Sequence, residues 1–247
     1  MINNLGLFKR ACVKLSSIIV ILIYIIFLYI DVITKSLGNV HSIYLKYSVI
    51  LLCLIITLLI GSDGHNKRDT FLLQLARFLT LIADYHLLLK DNYELGILFF
   101  CLVQVTYIIR HSLMGYKSYR SIVFIIIALG LVLIILLNIK PEYTNRKLIV
   151  FALVYAAFLL TSVYSACSLL RRGKYPKGAS VLIALGMVLF FLCDLNVGLH
   201  TILGMSSLRT MISPRTSFFA GYLVWLFYAP SQMFLTWSGL KNLKDIW

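Results

Sequence analysis

Long apolar runs, broken at short intervals by charges and turn residues, make up most of the chain. A helix needs about 20 mostly apolar residues to cross a bilayer. Runs of that order fall near 16–35, 44–61, 70–90, 93–110, 121–139, 147–170, 179–200 and 217–240. Lys90, Asp91 and Asn92 alone separate the third run from the fourth, and their turn chemistry predicts a helical hairpin rather than one long helix. Lys9, Arg10 and Lys14 precede the first apolar stretch, Ser16–Ile33. That stretch exceeds the roughly 7–15 residues of a signal-peptide core and is followed by no small-residue cleavage site, which predicts a retained first helix. The expected fold is all-α: a polytopic membrane protein, a bundle of about eight transmembrane helices, with residues 1–247 as a single transmembrane domain.

Composition agrees, since 61% of the residues are hydrophobic and 13% charged, which leaves no room for a separate soluble domain. The net charge of +14 is spread over the short segments between apolar runs, so it points to topology and not to a nucleic-acid partner. With the N-terminus inside, 14 Lys and Arg, Arg110 among them, fall on inner segments and 8 on outer ones, while Arg77 lies within a span. The excess predicts that both termini are cytoplasmic. The five cysteines form no CxxC pair and read as small hydrophobes. His41, His65, His86, His111 and His200 lie in different segments without an HxxxH or HExxH pair, so no metal or other cofactor is expected.

Polar residues inside spans are where function is sought, because lipid offers them no partners and a carboxylate at mid-span costs roughly 2.5–3.5 kcal/mol on insertion scales. The third span, FLLQLARFLTLIADYHLLL, holds Arg77 and Asp84, and the seventh holds Asp194. Asp84 lies 14 residues into its span and Asp194 15 into a co-directional one, so the two carboxylates are expected at nearly one level. If those spans are neighbours, the acids face each other across a cavity. Gln74, Arg77, Thr80 and Asp84 form one helical stripe. Arg77 stands two turns, about 10 Å, from Asp84, too far for a direct ion pair but near enough for a shared wet cavity. The alternative is that Arg77 snorkels to the inner surface.

Other spans add partners. Gly96, Phe100, Gln104 and Tyr107 share a face of the fourth span, and Trp225, Tyr228 and Gln232 share one of the eighth, where Pro230 must free a backbone carbonyl one turn earlier. Gly186 and Gly198 flank Asp194 and leave room either for a ligand or for a closely packed helix. Asn196 and His200 point elsewhere. The fifth span, without a polar residue until its end, is expected to face lipid, and the second likewise. Tryptophans and tyrosines near span ends fit interfacial belts. An Asp-bearing span followed by a Gln-bearing span occurs twice, which is compatible with a 4+4 parallel duplication.

As an ordered set these elements resemble the YhhN-like lysoplasmalogenase family of eight-helix membrane proteins. The family's third helix ends in Gly-Asp followed by leucines, and here Ala83-Asp84 stands in LTLIADYHLLL. The pattern of its next helix is met by Tyr93, Gly96, Ile97, Phe100, Val103, Gln104, Tyr107 and Ile108, with Gln104 in place of a histidine. The pattern of its seventh is met by Gly186, Leu189, Phe190, Cys193 and Asp194, with Cys193 in place of serine. Tyr228 and Gln232 correspond to a Tyr-Tyr-x-x-Gln-like element, and Lys46-Tyr47 to a Lys-Pro that starts the second span.

The resemblance implies hydrolysis of the vinyl ether of a lysophospholipid within the bilayer, yielding a fatty aldehyde and a glycerophospho-head-group. It marks Asp84 and Asp194 as the acid pair. Tyr228, Gln232, Gln104, Tyr107 and either Arg77 or Lys46 are then expected against the substrate, the last two as neutralisers of its phosphate. Intramembrane acids also mark proton and ion pathways, so a transporter or channel remains the rival, beside a metal-dependent hydrolase and a lipid-binding homologue without activity.

Overall fold

A computed structural model describes residues 4–112, 146–173, 175–203 and 214–241. Its helices are α1 (Asn4–Thr34), α2 (Val40–Ile60), α3 (Lys67–Asp84), α4 (Tyr93–Ser112), α5 (Arg146–Arg172), α6 (Lys177–Leu203) and α7 (Pro214–Trp237). Among the described residues, seven helices are long and apolar enough to cross a membrane. The chain is an all-α, multi-pass bundle. The expected fifth span, near 121–139, lies outside the described residues.

Local chemistry sets the breaks. Asn39 caps α2 by accepting from the amides of His41 and Ser42, and Asn66 caps α3 by accepting from the amide of Asp69. A π-helical turn, Tyr85–Leu89, prolongs α3 directly after Asp84. Asp91, at φ +51°, then reverses the chain into α4, so the hairpin between the third and fourth spans is present. α1 starts about three turns before the apolar run that predicts it, because charged side chains continue the helix without needing to be buried.

Each helix packs on its neighbour in sequence, from α1 to α2 through α3 to α4, and from α4 to α5 through α6 to α7. α7 then closes the ring by packing on both α2 and α1. The α6–α7 contact is close: a Cβ at Gly186 would stand 2.7 Å from Leu235 Cγ, so this glycine lets helices approach rather than making room for a ligand. At one end of the ring Gly64 and Leu240 pair as an isolated bridge, and Thr70 Oγ1 fills the place a Cβ on Gly64 would take.

Two expectations are corrected. α2 does not face lipid on all sides. Leu51, Ile55 and Leu58 are exposed, but Val49, Ile50, Cys53, Ile56 and Ile60 are core and Lys46 and Thr57 are buried with them. Its sequence looked uniformly lipophilic because the core it faces is itself apolar at those levels. Trp225 and Trp237 are not belt residues either. Both are buried, and Trp237 Nε1 donates to Ser17 Oγ at 3.0 Å.

Candidate functional site

α3 and α7 make no extensive backbone contact, yet long polar side chains bridge them at two levels. At the first, Tyr228 OH donates to Asp84 Oδ2 at 2.6 Å. At the second, Arg77 donates through Nη1 to Gln232 Oε1 and through Nη2 to the Tyr107 hydroxyl on α4. Arg77, Tyr107 and Gln232 are each fully buried. Arg77 therefore turns into the bundle instead of snorkelling to a surface. It makes no ion pair with Asp84, which lies two turns along the same helix.

Asp194 enters from α6. Tyr155 on α5 donates its hydroxyl to Asp194 Oδ2. Behind Tyr155 stands Gln104. Its Nε2 donates to the Tyr155 hydroxyl at 3.4 Å, and its Oε1 accepts from Ser162. A glutamine amide offers one acceptor and one donor group here, as a neutral imidazole would.

The two acids come from helices that are not packed together. Aromatic rings occupy the space between their tyrosines. Phe100 lies 6.1 Å from Tyr155, 6.4 Å from Tyr228 and 5.8 Å from Phe190, centroid to centroid, and Phe190 meets Tyr228 edge-on at 5.5 Å. The structure thus brings Asp84, Asp194, Tyr228 and Gln104 to one aromatic-walled centre. Arg77, Tyr107 and Gln232 lie at a second level along α3 and α7.

Lys46 is elsewhere. Its Nζ is 2.8 Å from Asp31 Oδ2 on α1, both residues nearly sealed, and the ammonium lies 5.1 Å over the Trp225 ring. Ser42 completes that node by donating to Asp31. The Lys46 charge is already neutralised within the protein.

Several polar partners are missing from the sequence reading: Tyr155, Ser162, Asp31 and Tyr24. Tyr24 OH donates at 3.1 Å to the carbonyl of Leu226, the group that Pro230 deprives of its helical partner. Asp69 and Arg110, at span ends, form a buried two-pronged ion pair joined by Tyr175, which donates to Asp69, and by Ser238, which accepts from Arg110. The counting of Arg110 as a loop charge hid this. Sequence offered one signal, an acid and a base flanking the two arms of a hairpin.

Helices that bury carboxylates, an arginine and amides in apolar surroundings define a polytopic membrane protein with a polar, acid-bearing core. The chain belongs to the YhhN family, whose model matches residues 41–239 and so takes in every residue of the two levels. No curated protein and no solved structure matches the chain.

Proposed function

We propose that the protein is an intramembrane hydrolase that cleaves the vinyl ether bond of lysoplasmalogens or related lysolipids, with Asp84 and Asp194 as its acid–base pair. The observation that carries the reading is the pair of carboxylates, each held through one oxygen by a tyrosine from another helix, with the Phe100 ring between the two tyrosines. Vinyl ethers are labile to acid and need neither a nucleophilic side chain nor a metal. One carboxyl gives its proton to the alkene carbon remote from the ether oxygen, leaving an oxocarbenium ion. The second, ionised, takes a proton from water as the water oxygen bonds to the cationic carbon. The resulting hemiacetal transfers its hydroxyl proton to the departing glycerol oxygen as the C–O bond breaks, and one water has been consumed. Which of the two acids begins protonated is left to the pair as a unit.

The surroundings suit a cation with a short life. The ring faces of Phe100, Phe190 and Tyr228 carry negative quadrupole density. The two tyrosine hydroxyls fix the carboxylates so that no reorganisation is needed as charge develops.

Purified protein assayed with a lysoplasmalogen should release the fatty aldehyde. Asp84→Asn and Asp194→Asn should each lower the rate by at least about 100-fold, the usual range for a positioned acid or base. Full activity in both variants sinks the proposal. Binding without turnover in the wild type would leave a lipid-binding protein in its place.

A further inference from the structure

We infer that Arg77, Tyr107 and Gln232 form an anion subsite inside the bundle that receives the phosphate of a lysolipid head group. Its assignment to a lysolipid rests on the hydrolase reading above, whereas the argument for an anion does not.

Charge carries that argument. A guanidinium stays ionised in a protein, and burying it without a counter-charge is costly. Lys9, Lys46 and Arg110 each face a carboxylate at 2.8 Å, from Asp63, Asp31 and Asp69 respectively. Arg77, with no exposed surface, faces two neutral oxygens instead. Asp84 acts on Arg77 only at a distance and not as an ion pair, since it lies about 10 Å along the helix and accepts from Tyr228.

The unused hydrogen-bonding capacity has one sign. Arg77 Nε and Gln232 Nε2 are buried without a partner. The Gln232 amide must turn its oxygen to Arg77, which can only donate, and this aims the NH₂ group away as a free donor. Tyr107, accepting from Arg77, keeps its own hydrogen to give. One positive charge and donors from α3, α4 and α7 converge, and what complements them is an acceptor-rich anion.

The spacing fits a phosphate on the proposed substrate. Seven covalent bonds separate the protonated vinyl carbon from phosphorus, roughly 9 Å when extended. Arg77 and Asp84, seven residues apart on α3, are separated by about 10 Å. One helix thus carries both the anion anchor and an acid.

The test measures binding, not turnover. The full chain in detergent is titrated with a saturated 1-O-alkyl lysophosphatidylethanolamine, with the matching 1-O-alkylglycerol, which lacks phosphate, and with inorganic phosphate. The wild type should prefer the phosphate-bearing ether by about tenfold or more, the scale of one charge-assisted hydrogen bond. Arg77→Gln should bring that preference to near one. Gln232→Glu should do the same while keeping the fold, because it places the missing carboxylate beside Arg77. An unchanged preference in Gln232→Glu, or none in the wild type, overturns the subsite, and inorganic phosphate binding as tightly as the ether overturns the lipid assignment. Aldehyde release from the vinyl ether, measured on the same preparations, reports separately on the hydrolase reading. Turnover with an unchanged binding preference sinks the subsite alone. A preference lost in Gln232→Glu, without turnover in the wild type, sinks the hydrolase alone.

Discussion

Tyr228 holds Asp84 from across the bundle, its hydroxyl 2.6 Å from Oδ2 while its ring is boxed edge-on by Trp225 and Phe190. The box fixes the hydroxyl, so the hydrogen bond orients the carboxyl and does not merely satisfy it. Tyr228→Phe keeps the box and removes the donor. Under the proposed chemistry it should lower kcat for aldehyde release by about tenfold, the worth of one charge-assisted bond, with little change in KM. Steady-state kinetics checks this, and an unaltered kcat would reduce Tyr228 to packing.

Gln104 acts on the other acid at one remove, through Tyr155. If its role is to present a donor to the tyrosine and an acceptor to Ser162, a neutral histidine, which offers both, should serve as well. Gln104→His is expected to retain most of the activity, whereas Gln104→Leu, which offers neither group, should lose about tenfold in kcat. Equal activity in the two variants would mean that the relay does not matter.

Tyr24 and Pro230 are coupled through a single carbonyl, that of Leu226. Removing the hydroxyl alone, in Tyr24→Phe, leaves the carbonyl without a partner and should cost about 1–3 kcal/mol. In Pro230→Ala the helix amide is restored and takes over the carbonyl. The double variant Tyr24→Phe/Pro230→Ala should therefore be more stable than the sum of the single changes predicts. Thermal or denaturant unfolding of the four proteins in one detergent measures the coupling, and strict additivity would refute it.

These partners mark where sequence reading stops. The spans were legible because apolar runs of this length have few other uses, and Asp84, Asp194, Arg77 and Gln232 were legible because each breaks such a run. Tyr155 and Tyr24 were not. A tyrosine in a span is scored with the apolar residues, and only the neighbouring helix decides whether its hydroxyl faces a carboxylate, a carbonyl or the interface. Asp31 and Asp69 sit near span ends, where a charge is expected in water and its burial depends on what packs over it. Tyr175, in the short connection between α5 and α6, covers Asp69 from more than 100 residues away. No periodicity reports a contact of that range.

That same end of the bundle makes stability depend on pH. His65 precedes α3, packs edge-on against Tyr175 at 5.0 Å, and through Nε2 donates to the Ser238 carbonyl at 3.0 Å. Burial pushes its imidazole below the ordinary value of 6.5. Arg110 and Lys241 add to that, while the Ser238 carbonyl and Asp69 oppose it. The folded protein therefore takes up a proton here less readily than the unfolded chain. As pH falls through about 6.5 the unfolded state is protonated first and stability drops. The loss continues until the folded-state value is passed and then levels off. Above 6.5 His65 is neutral in both states and contributes no slope. His65→Gln keeps a donor for Ser238 but does not titrate, so the difference in melting temperature between variant and wild type should shift in the variant's favour from pH 7.5 to pH 5. Thermal unfolding in one detergent across that range reads it directly, and parallel curves would show that this histidine does not set the acid limb.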